Sequence, residues 1–240
     1  MGDRPTSAPA DCECRPGAHL RQEVNAISSL AYVAAGVDLA RATAARRLPP
    51  TMGILAAAVA LEGVGSTWFH GGAGAGAQAV HDLPLLTVMG YLAGWYAGRL
   101  VDPVAAGADP APEPTDEQAP PARWWHTSRW TTAERAAVAG AVGATVLGGG
   151  VWLRANEAVN LVLGGGTAVV AIGELVARRR GQPAVLTPTV VALFAGSSVA
   201  WLAGRSESPV CRPASRAQPH ALWHAGTALG FSLWARAAAR

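Results

Sequence analysis

Residues 52–70 read MGILAAAVALEGVGSTWFH. Over 52–69 the only charged residue is Glu62, and the rest is Ala, Gly and aliphatic or aromatic side chains broken by one Ser-Thr pair. A helix that crosses a bilayer needs roughly 20 mostly apolar residues, so the run has the length and composition of a spanning segment. It nevertheless carries Glu62, Ser66 and His70 at intervals of four. That interval places all three on one stripe of a helix. Ionisable groups inside a bilayer are costly, so each marks a candidate functional position.

Six more apolar runs flank this one, at 24–40, 83–101, 133–153, 155–177, 184–204 and 219–237. Half of the 240 residues are hydrophobic and 15% are charged. The expected fold is therefore all-α, an integral membrane bundle of seven transmembrane helices. Glycine recurs within the runs, as it does where membrane helices pack closely. The segment at about 103–130 is rich in proline and acid and reads as a flexible loop. No apolar h-region precedes the first run, so no cleavable signal peptide is expected. The chain divides into a tail over 1–22 and one seven-helix domain over 23–240.

All 19 basic residues are arginine, and the chain has no lysine. A sequence pI near 9.1 invites a nucleic-acid reading. The arginines, however, stand in short clusters between apolar runs, as the flanks of membrane helices do. No nucleic-acid partner is expected. If the N-terminus lies outside, 12 arginines fall on inner segments and seven on outer ones. The expected placement is a bacterial plasma membrane, with an extracytoplasmic tail and a cytoplasmic C-terminus.

Orientation gives the polar residues a common depth. The second run travels outward and ends at His70. The third starts outside, with Asp82 at its mouth. The seventh also starts outside, and its opening PHALWH carries His220 and His224 on one stripe. Three imidazoles and an open position make the ligand set of a catalytic zinc site. Zinc lowers the pKa of its bound water toward about 7 and polarises a carbonyl. On this reading Asp82 takes the proton, and Ser66, one turn below His70, hydrogen-bonds the carbonyl oxygen or the water. His19 and His126 read as interfacial. His81 points elsewhere on its helix and reads as structural. Glu62 is expected to be protonated or paired, with partners in the polar stripe of Asn25, Ser28, Ser29 and Tyr32. Cys211 lies six helices from Cys12 and Cys14, hence on their side of the membrane, and is expected to bond one of them. Two rival readings share the histidines: a b-type haem protein using two of them as axial ligands, and a non-catalytic receptor or structural protein that holds zinc.

GVGSTWFH (63–70), HDLPLL (81–86) and QPHALWHAGTA (218–228) together resemble the CREST superfamily of seven-helix membrane hydrolases. The Cys-Glu pair at 12–13 and RQEVNAISSLAYVAAG (21–36) resemble the start of its alkaline ceramidase branch, bacterial relatives included. The likeness runs in order from residue 11 to about residue 230. It implies zinc on His70, His220 and His224, with catalytic roles for Ser66 and Asp82. It also implies a lipid amide as substrate, with its acyl chain inside the bundle. It favours Cys12 as the partner of Cys211. It further implies calcium near the N-terminus, where Asp11, Glu13 and Glu23 are the matching acids. The tryptophan and asparagine that accompany those acids in the family are missing here.

Overall fold

A computed structural model describes residues 11–14, 20–72, 76–101, 130–152 and 157–240, with backbone alone over 148–152 and 157–162. The expected loop at about 103–130, apart from Trp130, lies outside these residues, as do His19 and His126.

Among the described residues the protein is all-helical, with no strand. Its helices are α1 (Glu23–Ser28), α2 (Leu30–Ala44), α3 (Met52–Gly71), α4 (Ala77–Val101), α5 (Thr132–Trp152), α6 (Glu157–Arg179), α7 (Pro188–Ala203) and α8 (Pro219–Ala238). Ser29 keeps helical angles between α1 and α2 (φ −60°, ψ −23°), so the described residues form seven rods, one for each apolar run. Of these, α3 alone is both long and apolar enough to cross a membrane, while α7 is apolar but shorter.

Local chemistry sets the helix ends. Thr187 accepts a hydrogen bond from the amide of Val190, and Pro188 fills the first helical position of α7. A proline there loses no helical hydrogen bond. Pro219 does the same for α8. The α4 helix begins at Ala77, ahead of the apolar run that starts at 83. His81 and Asp82 are therefore helical, and Pro84 lies within the helix.

Pro84 has no amide hydrogen, so the carbonyl of Val80 loses its partner in the helical ladder. Gly65 of α3 packs against that carbonyl. A Cβ at position 65 would stand 2.1 Å from the Val80 oxygen. The α4–α5 contact is equally tight, since a Cβ on Gly94 would fall 2.1 Å from the carbonyl oxygen of Ala136. Small residues thus let neighbouring backbones touch.

The side chains on α3 are sorted in an unusual sense. Glu62, Ser66 and His70 are buried, while Leu61, Val64 and Trp68 are exposed. On α8, His220, His224 and Thr227 are buried, while Leu222 and Leu229 face out. The interior also holds an aromatic group away from these polar residues. The Trp95 and Trp234 rings meet at 5.2 Å, and Trp234 Nε1 donates to Tyr96 Oη at 3.4 Å.

A side chain at position 65 has nowhere to go, because the atom it meets is backbone. Gly65→Leu is expected to destabilise the protein by about 1–3 kcal/mol, the usual cost of overpacking. Gly72→Leu serves as the control, since a Cβ there meets nothing closer than 3.9 Å. Thermal unfolding of the two variants beside the parent measures the difference.

Candidate metal centre

Packing of α1 against both α3 and α8 brings the C-terminal end of α3 to the N-terminal end of α8. His70, His220 and His224 meet there, each buried, with one nitrogen from each ring lying within 4.8 Å of the others. The His70 ring centroid lies 5.1 Å from both His220 and His224, and the last two lie 4.7 Å apart. Among the described residues, no other group of three His, Cys, Asp or Glu side chains gathers its ligand atoms this way.

Hydrogen bonds fix which nitrogens are available. Ser28 Oγ donates its one proton to the carbonyl of Asn25, at 2.9 Å. It can therefore only accept from His224 Nδ1, 2.8 Å away. His224 thus carries its proton on Nδ1 and leaves Nε2 as a lone pair. His70 Nδ1 is bonded to Gln22 Oε1. A carbonyl-type oxygen only accepts, so Nδ1 is again the protonated nitrogen. The Nε2 atom of His70 is buried and has no partner. A buried lone pair of this kind calls for a ligand. Three imidazole nitrogens, two of them on rings whose opposite nitrogen is anchored, match the chemistry of a zinc site.

Gln22 and Ser28 perform this anchoring, and neither was assigned such a role by sequence. The stripe of Asn25, Ser28, Ser29 and Tyr32 was expected to serve Glu62. Instead Ser28 and Ser29 face His224, and Tyr32 Oη bonds Thr227 Oγ1 at 2.6 Å. Glu62 finds a different partner. His81 Nε2 lies 3.5 Å from Glu62 Oε1, and His81 Nδ1 lies 2.7 Å from Asp82 Oδ1. The reading of His81 as turned away is thereby corrected, because α4 reaches far enough back to place its imidazole between the two acids. The His81 ring also stands 6.2 Å from that of His70.

Asp82 is held on a second side by Gln78, whose Nε2 donates to both carboxylate oxygens at 2.9 and 2.8 Å. Among the described residues no hydrogen bond joins Asp82 directly to the three histidines. Ser66 Oγ lies 2.8 Å from Ser29 Oγ. The hydroxyl proton of Ser29 goes to the Asn25 carbonyl at 2.8 Å. Ser66 must therefore be the donor in their contact, which leaves its oxygen as an acceptor.

The three acids tied to calcium separate. Glu13 caps α1, accepting from the amides of Val24 and Asn25 at 2.8 and 2.9 Å. Asp11 turns toward the histidines, with Oδ1 3.3 Å from His220 Nδ1 and Oδ2 3.8 Å from His70 Nδ1. Glu23 does not join them in a second ligand cluster. Beside Asp11, Cys12 is bonded to Cys211, and Cys14 is free and exposed. No protein family, curated protein or solved structure matches the chain.

The pairing of Glu62 with His81 has a measurable consequence. Removing one member of a buried pair leaves the other uncompensated, at about 3–5 kcal/mol. His81→Leu is therefore expected to destabilise the protein more than the double change Glu62→Leu with His81→Leu. Thermal unfolding of the parent, both single variants and the double variant checks this. Simple additivity would show that the two groups do not interact.

Proposed function

We propose that this chain is an integral membrane protein of seven spanning helices that hydrolyses an amide or ester bond in a lipid, with zinc held by His70, His220 and His224. The observation that carries the reading is the convergence of three buried imidazole nitrogens in a bundle that also turns many apolar side chains outward. Leu61 and Val64 on α3, Val142 and Val146 on α5, Val169 and Ile172 on α6, Val199 and Leu202 on α7 and Leu229 on α8 are all exposed. Exposed apolar surface on one helix after another suits a lipid solvent, and buried polar groups at one end of the bundle suit a site. The arginine distribution supports an outer N-terminus in a bacterial plasma membrane, so the site opens at the outer level.

When bound, zinc supplies an acidified water and an electrophile for a carbonyl. The chain supplies the rest. Gln22 and Ser28 hold His70 and His224 with their Nε2 atoms free. Ser66, whose proton points to Ser29, offers its oxygen to a water proton. To hydrogen-bond a carbonyl oxygen as well, Ser66 must first turn its proton away from Ser29. Asp82, steadied by Gln78 and His81, accepts a proton on its carboxylate. The acyl chain of the lipid lies among the helices. The resemblance to alkaline ceramidases makes a long-chain amide the first substrate to test, with esters second.

Elemental analysis of the purified protein is expected to find one zinc per chain, and His224→Ala is expected to lose it. Full zinc in that variant sinks the ligand assignment. Asp82→Asn is expected to keep zinc and lose about 10²–10⁴-fold in turnover of the best lipid amide or ester, the usual effect of removing a general base. Near-normal turnover in Asp82→Asn takes that residue out of the mechanism. Zinc without turnover of any lipid amide or ester favours the non-catalytic reading.

A further inference from the structure

Two of the three histidines have an anchor for Nδ1 on α1, and His220 has none there. Its Nδ1 is buried and makes no hydrogen bond, yet it lies 3.3 Å from Asp11 Oδ1. That is an ion-pair distance, short of an aligned hydrogen bond. The same carboxylate reaches toward His70, at 3.8 Å from Nδ1. Metal-bound histidines almost always give their second N–H to a carboxylate, a carbonyl or a water, which sets the tautomer and strengthens the ligand. We propose that Asp11 is the positioning carboxylate of the metal centre, orienting His220, and that the Cys12–Cys211 bond holds it in place. The proposal rests on the zinc reading above and adds a residue and a covalent dependence to it.

Asp11 belongs to no helix. Its backbone forms a single antiparallel bridge with Arg205, and the amide of Cys12 donates to the carbonyl of Gly204 at 2.7 Å. Gly204 in turn lies against His220, since a Cβ at 204 would fall 2.8 Å from His220 Cβ. A glycine is thus needed for the tail, the loop and His220 to stack this closely. Few contacts fix the carboxylate, and the covalent one is made by the very next residue. The disulfide joins positions 199 residues apart. Without it, the segment carrying Asp11 keeps its backbone hydrogen bonds to the loop beyond α7 and the bonds of Glu13 to α1, none of which holds the Asp11 side chain directly. A second carboxylate near a three-histidine dication also lowers the net charge buried there, which favours retention of the metal.

The test is the zinc dissociation constant of the full-length protein, measured by competition with a chelator of known affinity. Asp11→Ala is expected to weaken zinc binding about 10–100-fold, the range for lost partners of ligating histidines. Asp11→Asn, which keeps an acceptor oxygen and loses the charge, is expected to fall between Ala and the parent. Reduction of the folded parent is expected to weaken binding as well, and to add little in Asp11→Ala. The paired change Cys12→Ser with Cys211→Ser gives the same comparison without a reductant. If Asp11→Ala binds zinc as tightly as the parent, Asp11 is not a positioning residue. If breaking the disulfide weakens zinc by the same factor with and without Asp11, the bond does not act through that carboxylate. A parent that binds no zinc overturns the zinc reading itself, and this inference falls with it.

Discussion

One backbone carbonyl, that of Asn25, sets the direction of the hydrogen bonds around the histidine cluster. It takes the hydroxyl protons of both Ser28 and Ser29. Each serine has a single proton, so each must then accept from its next neighbour. Ser28 accepts from His224, and Ser29 accepts from Ser66. A buried oxygen one turn back in α1 thus determines which nitrogen of His224 is free and which way the proton of Ser66 points. The position of that carbonyl depends on Glu13, which caps the start of α1 through two backbone amides. A short helix would fray without such a cap. An acid matching a calcium ligand by resemblance is here spent on holding the helix that orients the histidines.

The inward polar and outward apolar sorting fits this network. Polar groups are tolerable in an apolar interior only when hydrogen-bonded. Most of those at this end of the bundle meet that condition through one another. The exceptions are informative. Arg21 Nη2, His70 Nε2, His220 Nδ1, both side-chain polar atoms of Asn25 and Glu62 Oε2 are buried without hydrogen-bond partners. The Asn25 side chain is wholly buried and extends from the helix turn that lies between Gln22 and Ser28, the two residues that hold histidines. Its amide thus has a donor and an acceptor both free inside the bundle.

Much of this was legible in the sequence because helix period and helix count are global constraints. The apolar runs map onto the helical rods with small shifts at their ends. Counting helices is enough to bring His70 to the level of His220 and His224, whichever way the bundle points. The spacing of four within each pair of polar residues supplied the facing. What was not legible depended on reach. The early start of α4 at Ala77 was hidden because Gly76 and Ala77 carry no capping signal, so His81 reads as pointing elsewhere than its neighbour Asp82 and its contact with Glu62 is not foreseen. Gln22 lies just before an apolar run and looks like a loop residue until α1 is seen to begin at Glu23. Asp11 could be placed on the right side of the bundle but not at His220, because that contact is made by a tail with no periodicity of its own.

Two polar systems share this end of the protein, and they meet at His70. One comprises α1, the tail and the start of α8, whose Gln22, Ser28 and Asp11 face the histidines. The other is on α3 and α4, where Glu62, His81, Asp82 and Gln78 form a continuous chain. The His81 ring stands beside that of His70 with no hydrogen bond between them. The first system faces atoms suited to holding a metal, and the second holds groups suited to taking up and passing on protons. Both touch α3, through Ser66 and His70 in the first and Glu62 in the second, and they are joined by a ring contact and not by shared hydrogen bonds. On the proposed hydrolase reading, one set of bonds would hold the metal ligands while a carboxylate in the other set changes protonation.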